Sequence, residues 1–468
     1  MKFKPYEQQQ TTLLPPSIED LISESHIVRV IDTIVEELDY ERLYSSYSEE
    51  GQPAYHPKML LKLLIYGYSI GIRSSRKMAE KLHSDVTFMF LSGMQRPDFR
   101  TISDFRLNKR DYLEEYFIQI LQICKQAGLY KLNHVSIDGS KIKANASKKK
   151  TQDEEDLLRN EKAVKKILEE AEAIDKEEDE KYGKDNNGYD LPPELSTKEK
   201  LLKKIKEAKK KLDKDKLKRI NLTDHDASFM RKADGGIDVC YNAQLAVDSE
   251  NQIIITCDVS KKGNDNHLFA EVYEKLRGMT YQSPNEVTAD AGYYSGATYL
   301  YLEKNKIDAY IPESRHRKES KEAIGKFSRI NFQYDKENDV YICPEGKKMV
   351  FAKNSSRNKV KFRIYKGTSC GDCNSKKVCI SKQNAPLRQI QIYENDYYKE
   401  YMRQKLRSKI GKEKLRQRKA IVEPVFAQLK YIMGFERFLL RGIDKVRAEF
   451  TLLCTAYNIK KIYKLLPC

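Results

Sequence analysis

The stretch His134–Ser147, HVSIDGSKIKANAS, most limits what this chain can become. Val135, Ser136 and Ile137 read as a short buried strand with Asp138 at its end, followed at once by Gly139, Lys141 and Lys143. A carboxylate at the lip of a buried strand, beside a basic run, suits a site where the acid holds a metal ion and the lysines hold an anion. Two later stretches read as its partners. NEVTADAGYYS places Asp290 at a second strand end, and RQRKAIVEPVFAQLKYIM carries Glu423 in a helical pattern between basic residues.

The rest of the chain gives that site a context. Its 468 residues allow two or three domains, and 40% hydrophobic content is enough for a real core. The net charge of +17 points to a polyanionic partner, most simply nucleic acid. No run of apolar residues is long enough for a transmembrane helix. The start, MKFKPYEQQQTTLLPPS, lacks the apolar core of a signal peptide, so an unprocessed cytoplasmic protein is expected. The nine cysteines are then reduced thiols or metal ligands.

Residues 1–130 read as an N-terminal helical domain, extended up to about residue 20 and punctuated by Pro15 and Pro16. Pro57 suits the first position of KMLLKLLIYGYSIG, Ser74 suits a cap for SSRKMAEKLH, and a third helix starts near Thr101. Two short helices in succession suit a helix-turn-helix that enters DNA; a plain helical bundle is the alternative.

From residue 131 to the C-terminus the pattern is α/β. VCYNAQLAVD and NQIIITCDVS read as an antiparallel pair joined by a tight Ser249–Glu250 turn, followed by a helix, the Asp290 strand, another helix and a short strand at Asp308–Ile311. Two stretches interrupt it. In 148–222, residues 153–180 hold 13 acidic and 5 basic side chains and 198–219 hold 12 basic and 4 acidic, which suggests two helices folded into a hairpin across KYGKDNNGYDLPPELS. A disordered charged linker is the alternative. The second interruption, 313–400, is polar and β-rich, with a hairpin expected in FQYDKENDVYICPEG. It holds Cys343, Cys370, Cys373 and Cys379; four thiolates would suit a closed structural zinc site, against ordinary reduced cysteines. The last 70 residues are helical, and 399–419 carry 10 Lys or Arg, a balance that suits a nucleic-acid face.

Phosphodiester chemistry needs charge neutralisation at the attacking and leaving oxygens, which two divalent ions roughly 3.5–4 Å apart supply. Mg²⁺ or Mn²⁺ prefers carboxylate oxygens and water, and Asp138, Asp290 and Glu423 provide such donors from three elements. Steps of 3, 4 and 7 along the last helix put Arg416, Lys419, Glu423 and Lys430 on one face, and Val422, Phe426, Leu429 and Met433 on an apolar one. Pro424 suggests a break beside Glu423.

With VSIDGSKIKANAS, DHDASFMRKADGGIDVCYNAQLAVDSENQIIITCDVS, VTADAGYYS and EPVFAQLKYIMGFERFLLRG in view, the chain resembles the DDE transposases of bacterial insertion sequences, in the IS4-like group and most closely its IS1182-type branch. The N-terminal YHPKMLLKLLIYGYSIGIRSSRKMAEKL is similar to that family's first domain. The resemblance implies an RNase H-like catalytic core with two Mg²⁺ or Mn²⁺ ions, and cleavage of double-stranded DNA at element ends. The freed 3′-hydroxyl is then joined to target DNA. It also implies a homodimer on the DNA and a place at the bacterial nucleoid. Asp138, Asp290 and Glu423 take the places of the three metal-binding acids, and Lys430 matches the lysine of the family's Tyr-Arg-Glu-Lys signature. Where that signature has its tyrosine and arginine stand Arg416 and Lys419, with Arg418 as a substitute arginine. Lys141, Lys143, Arg416, Arg418, Lys419 and Lys430 are the DNA-binding candidates. A nuclease of the same fold that cuts without joining, and a DNA-binding protein without catalysis, are the alternatives.

Overall fold

The computed structural model describes residues 17–182, 193–313 and 326–466, apart from 49, 51, 233, 336, 358–359, 381–384 and 394–395. Pro15, Pro16 and the turn-rich 183–192 lie outside the described residues. The helical pattern begins at Ile18, where Ile18–Leu21 form a 3₁₀ turn capped by Ser17.

The N-terminal part is helical. Helices α1 (Ile27–Glu36), α2 (Pro57–Ser69), α3 (Ser75–Lys81), α4 (Phe99–Asn108) and α5 (Arg110–Gln126) carry it, with a shorter turn of helix at Val86–Leu91. Pro57 does stand at the helix start. Ser74 precedes α3 but makes no side-chain cap, whereas Asp98 caps α4 by accepting from the Thr101 N–H at 2.7 Å. The single helix expected near Thr101 is therefore two, broken at Lys109.

The central sheet is built from β1 (His134–Lys143), β2 (Ser228–Arg231), β3 (Ile237–Asp248), β4 (Ile254–Ser260), β5 (Glu286–Ala289) and β6 (Ala309–Tyr310). Strand β3 pairs antiparallel with β1 on one side and with β2 and β4 on the other. β1 pairs parallel with β5, and β5 parallel with β6. β1 is longer than the expected Val135–Ile137 strand: its parallel pairing stops at Ile137, but its pairing with β3 runs on to Lys143. The β3–β4 connection is also longer than a two-residue turn and passes through Gln252 at φ +59°.

Between β1 and β2 lie α6 (Glu154–Tyr182) and α7 (Pro193–Lys214). They pack through Leu157, Val164, Ile205, Ala208 and Leu212, and Lys209 pairs with Glu161 across them at 3.5 Å. A two-strand ladder, Thr151–Gln152 with Ile220–Asn221, closes their base. Helices α8 (Phe269–Thr280) and α9 (Gly296–Lys304) flank β5 in sequence. After β6 comes a second, antiparallel sheet of β7 (Gln333–Asp335), β8 (Val340–Ile342), β9 (Lys348–Arg357), β10 (Val360–Gly367) and β11 (Gln389–Tyr393), in which β7 and β8 form the expected hairpin. Helices α10 (Asp396–Arg407), α11 (Lys409–Ala427) and α12 (Ile443–Leu465) end the chain.

One hydrophobic core runs from Ile22 through the sheet to Ile462. Helix α12 is its axis, packed against α2, α5 and β4. Its start is set by Gly442 at φ +82° and by Asp226, whose carboxylate accepts from the Ile443 N–H at 3.0 Å. Within it Glu449, fully buried, accepts from the Leu439 and Leu440 N–H groups. Arg73 reaches the same place from the N-terminal helices, donating to the carbonyls of Gly434 and Arg437 and stacking on Phe435. The GFERFLLRG segment is thereby clamped between the two ends of the chain.

Candidate active site

Residues at alternate positions of a strand share a face. On β1 that puts His134, Ser136 and Asp138 together, and on β5 it puts Thr288 beside them. His134 Nε2 and Ser136 Oγ both hydrogen-bond Thr288 Oγ1, at 3.0 and 2.7 Å, forming a buried polar row. The row leads to the acids. Ile137 pairs with Ala289, so Asp138 and Asp290 stand one step further along two adjacent parallel strands.

Each acid commits one oxygen to a backbone N–H just after it. Asp138 Oδ1 accepts from the Gly139 N–H at 2.8 Å, and Asp290 Oδ1 from the Gly292 N–H at 2.7 Å, where Asp290 caps a 3₁₀ turn. Burial pushes the Asp138 carboxyl up to about 6, with the Arg418 guanidinium opposing and Asp290 adding to the rise. Asp290 is raised as well, chiefly by burial, with Asp265 contributing repulsion and Arg418 opposing. Two buried carboxylates in this relation resist carrying both charges unless a cation joins them.

Helix α11 lies over this face. Lys414 pairs with Glu286, and Arg418, one turn on, donates from Nη1 to Asp138 Oδ2 at 3.1 Å. Its other nitrogen lies 3.7 Å from Glu423 Oε1. Glu423 itself is exposed, with 56% of its side-chain surface open. Among the described residues, no three His, Cys, Asp or Glu side chains stand together in a metal-ligating group. The three acids do not meet directly: two are neighbours, and the third joins them through Arg418. The inward face of α11 differs from the expected one, because Arg416 and Lys419 point out and Arg418 points in. Arg416 pairs with Glu413 at 2.7 Å.

The helix does not break at Pro424. Pro424 has no N–H for the carbonyl of Ala420, and Gln252 supplies a donor instead, its Nε2 lying 3.0 Å from that oxygen. The chain then widens into a π turn at Gln428–Ile432, and Lys430 returns to the sheet with Nζ 2.5 Å from Ser140 Oγ. Lys143 pairs with Asp238 at 3.4 Å and is half exposed. Lys141 pairs with Asp265 at 3.2 Å and is largely buried.

Asp265 was not legible as a site residue. The signal was in β3: Asn242 and Gln244 are polar positions inside an apolar strand, fully buried, and both donate to Asp265 Oδ1, at 2.6 and 2.9 Å. The buried Tyr293 hydroxyl completes this network on Gln244 Oε1.

The four cysteines of the second sheet line one small cavity with Gly367. A Cβ on Gly367 would strike the Cys370 sulfur. Burial raises the Cys379 thiol, Arg388 opposes, and Cys370, Cys343 and Cys373 add to the rise. All the described cysteines are free thiols.

Residues 342–463, which include Glu423, Lys430 and the cysteine pair at 370 and 373, match the family model of a transposase DDE domain. Residues 16–108, the helices up to α4, match that of a transposase domain. Over these two segments the chain is similar to the DDE transposases of insertion-sequence type. No curated protein matches the chain. Among its described residues, no helix is long and apolar enough to cross a membrane.

Proposed function

We propose that the chain is a transposase that cuts DNA at the ends of its element and joins the freed 3′-hydroxyl to target DNA, with Asp138, Asp290 and Glu423 as the metal-binding acids. One observation carries the reading: Asp138 and Asp290 occupy the same level of two adjacent parallel strands although 151 residues lie between them in sequence. The strand order supports an RNase H-like core. With β2 set aside, the order β4, β3, β1, β5, β6 runs third, second, first, fourth, fifth, with only β3 opposed to β1.

The donor set fits a hard divalent cation. Asp138 and Asp290 each keep one oxygen off the backbone, no thiol or imidazole is among the acids, and Glu423 is open to solvent and able to swing in. Bound Mg²⁺ or Mn²⁺ would neutralise charge on the attacked phosphate and lower the pKa of attacking water. The chain's own residues do the rest. Strand pairing fixes the spacing of two acids, α11 carries the third, and Lys430 is held at Ser140 with a charge for phosphate. The basic faces of α10 and α11 add sequence-independent affinity for the DNA backbone. A smaller part of the same reading gives the four cysteines a structural zinc: they line one cavity but do not stand together as a ligand group, so they would have to close on the ion, and zinc-free purified protein with this sheet still folded would end it.

The test is incubation with DNA carrying the element's ends, with Mg²⁺ or Mn²⁺, followed by mapping of both strands. Metal-dependent nicks at the ends and joined products are expected. Nicks without joined products would make the protein a nuclease, and binding without nicks a non-catalytic DNA-binding protein.

A further inference from the structure

We propose that Asp265 is a positioning residue of this active site: it sequesters Lys141 and steadies β1 beyond Asp138 and the turn after Asp290, so that Asp290 has no ion pair among the described residues and is left for a divalent cation. This rests on the metal-binding reading above.

The geometry is specific. Asp265 precedes α8, yet its carboxylate lies against Gly139, which follows Asp138 on β1, and Gly292, in the turn that follows Asp290. A Cβ on Gly139 would fall 2.3 Å from Gln244 Nε2 and 2.9 Å from Asp265 Oδ1, and a Cβ on Gly292 would fall 2.9 Å from Asp290 Oδ1 and 3.2 Å from Asp265 Oδ2. The network that Asp265 forms with Gln244 therefore crowds a glycine directly after Asp138, and its carboxylate adds to the crowding at another two residues after Asp290. Neither glycine has a positive φ, so close approach and not backbone conformation is what requires them.

The hydrogen bonds show what Asp265 organises. Its Oδ1 accepts from Asn242 and Gln244, which pair with Lys141 and Gly139 across the β1–β3 ladder. Both of its oxygens lie within 3.3 Å of the Lys141 ammonium. Lys141 is thus anchored on the far side of Gly139. Released, its ammonium would be free to turn toward Asp290, whose charge already feels it, and would compete with a metal ion there. Asp265 also adds its own negative charge beside Asp290, which favours a cation there.

The experiment is Mn²⁺ binding to the full chain without DNA, followed by electron paramagnetic resonance, with melting points measured alongside. Asp265→Asn keeps an oxygen for Asn242 and Gln244 but frees Lys141. It should weaken Mn²⁺ binding about tenfold or more, the range for residues that support metal ligands, with little change in melting point. Adding Lys141→Met to that variant should recover most of the affinity. Lys141→Met alone should tighten binding. Unchanged affinity in both single variants would overturn the proposal. So would a loss that follows the melting point and is not recovered in the double variant, since that is a purely structural role. Asp290→Asn serves as the control. If the unaltered protein binds Mn²⁺ no better than Asp290→Asn does, the metal-binding reading falls, and this inference with it.

Discussion

Arg418 Nη1 donates to Asp138 Oδ2 at 3.1 Å, across 280 residues of sequence. The guanidinium stands where charge balance calls for a cation: between a buried acid and the exposed Glu423. In the metal-free protein it offsets part of the cost of burying Asp138. It also competes with any metal ion for the same oxygen.

Arg418→Gln should therefore tighten Mn²⁺ binding several-fold near pH 8, where Asp138 is ionised with or without Arg418. Near pH 6 the advantage should vanish, because Asp138 loses the partner that holds its carboxyl down and protons compete better. Calorimetric titrations at the two pH values check this. Weaker binding at both would mean that Arg418 shapes the site and does not merely occupy it.

Glu423 makes a cleaner test of function than its partners. Its side chain is exposed and its one ion pair is long, 3.7 Å to Arg418. An exposed change of this kind shifts stability by about 0.5 kcal/mol or less. Glu423→Gln should thus leave the melting point and DNA binding unchanged while reducing end cleavage by about 100-fold or more, beyond the ~10–100-fold that losing a mere supporting partner of a metal ligand costs. Cleavage at the unaltered rate would show Glu423 to be a surface residue.

Asp138 gives the pH dependence of stability without metal. Its carboxyl titrates near 6 in the folded chain, against about 3.9 unfolded. Between those values the folded state binds the extra proton, so this group's contribution to stability falls as pH rises. Fully ionised, it costs up to about 3 kcal/mol, at roughly 1.4 kcal/mol per unit. Asp138→Asn mimics the protonated form. In EDTA at pH 8 it should melt higher than the unaltered protein, and the gap should close toward pH 4. A lower melting point for Asp138→Asn at pH 8 would mean that the Arg418 pairing outweighs the burial.

How far the sequence alone leads can be seen at single residues. Asp138 and Asp290 were legible because alternating burial with an acid at the edge is a local pattern, and their strands pair as that pattern requires. The α6–α7 pair was legible because complementary charge blocks separated by turn residues have few other solutions. Arg416 and Lys419 were misplaced because a strict helical count favours the 416–419–423 face, whereas docking of Ile421, Val422 and Val425 on the sheet turns Arg418 inward. Asp265 was missed because its meaning lies in contacts with β1 and β3, 124 and 23 residues away, which no local period encodes. Pro424 misled in the same way, since its compensation comes from another loop.

That compensation gives a last prediction. The Ala420 carbonyl cannot be satisfied within α11 because Pro424 has no N–H, and the Gln252 amide donates to it at 3.0 Å. Gln252 holds a left-handed conformation, φ +59°, and its side-chain amide oxygen Oε1 in turn accepts from Lys461 Nζ at 3.1 Å. Gln252→Ala should lower stability by about 0.5–1 kcal/mol, the net worth of one partly exposed hydrogen bond. Pro424→Ala returns an N–H to the helix, so it should stabilise the protein and make the Ala420 carbonyl independent of Gln252. In that background Gln252→Ala should cost measurably less, since only the Lys461 contact is then lost. The four proteins of this cycle need only urea melts to compare, and the cycle removes effects that each change has alone. An equal cost of Gln252→Ala in both backgrounds would show that the amide does not serve the proline, and that α11 crosses Pro424 for another reason.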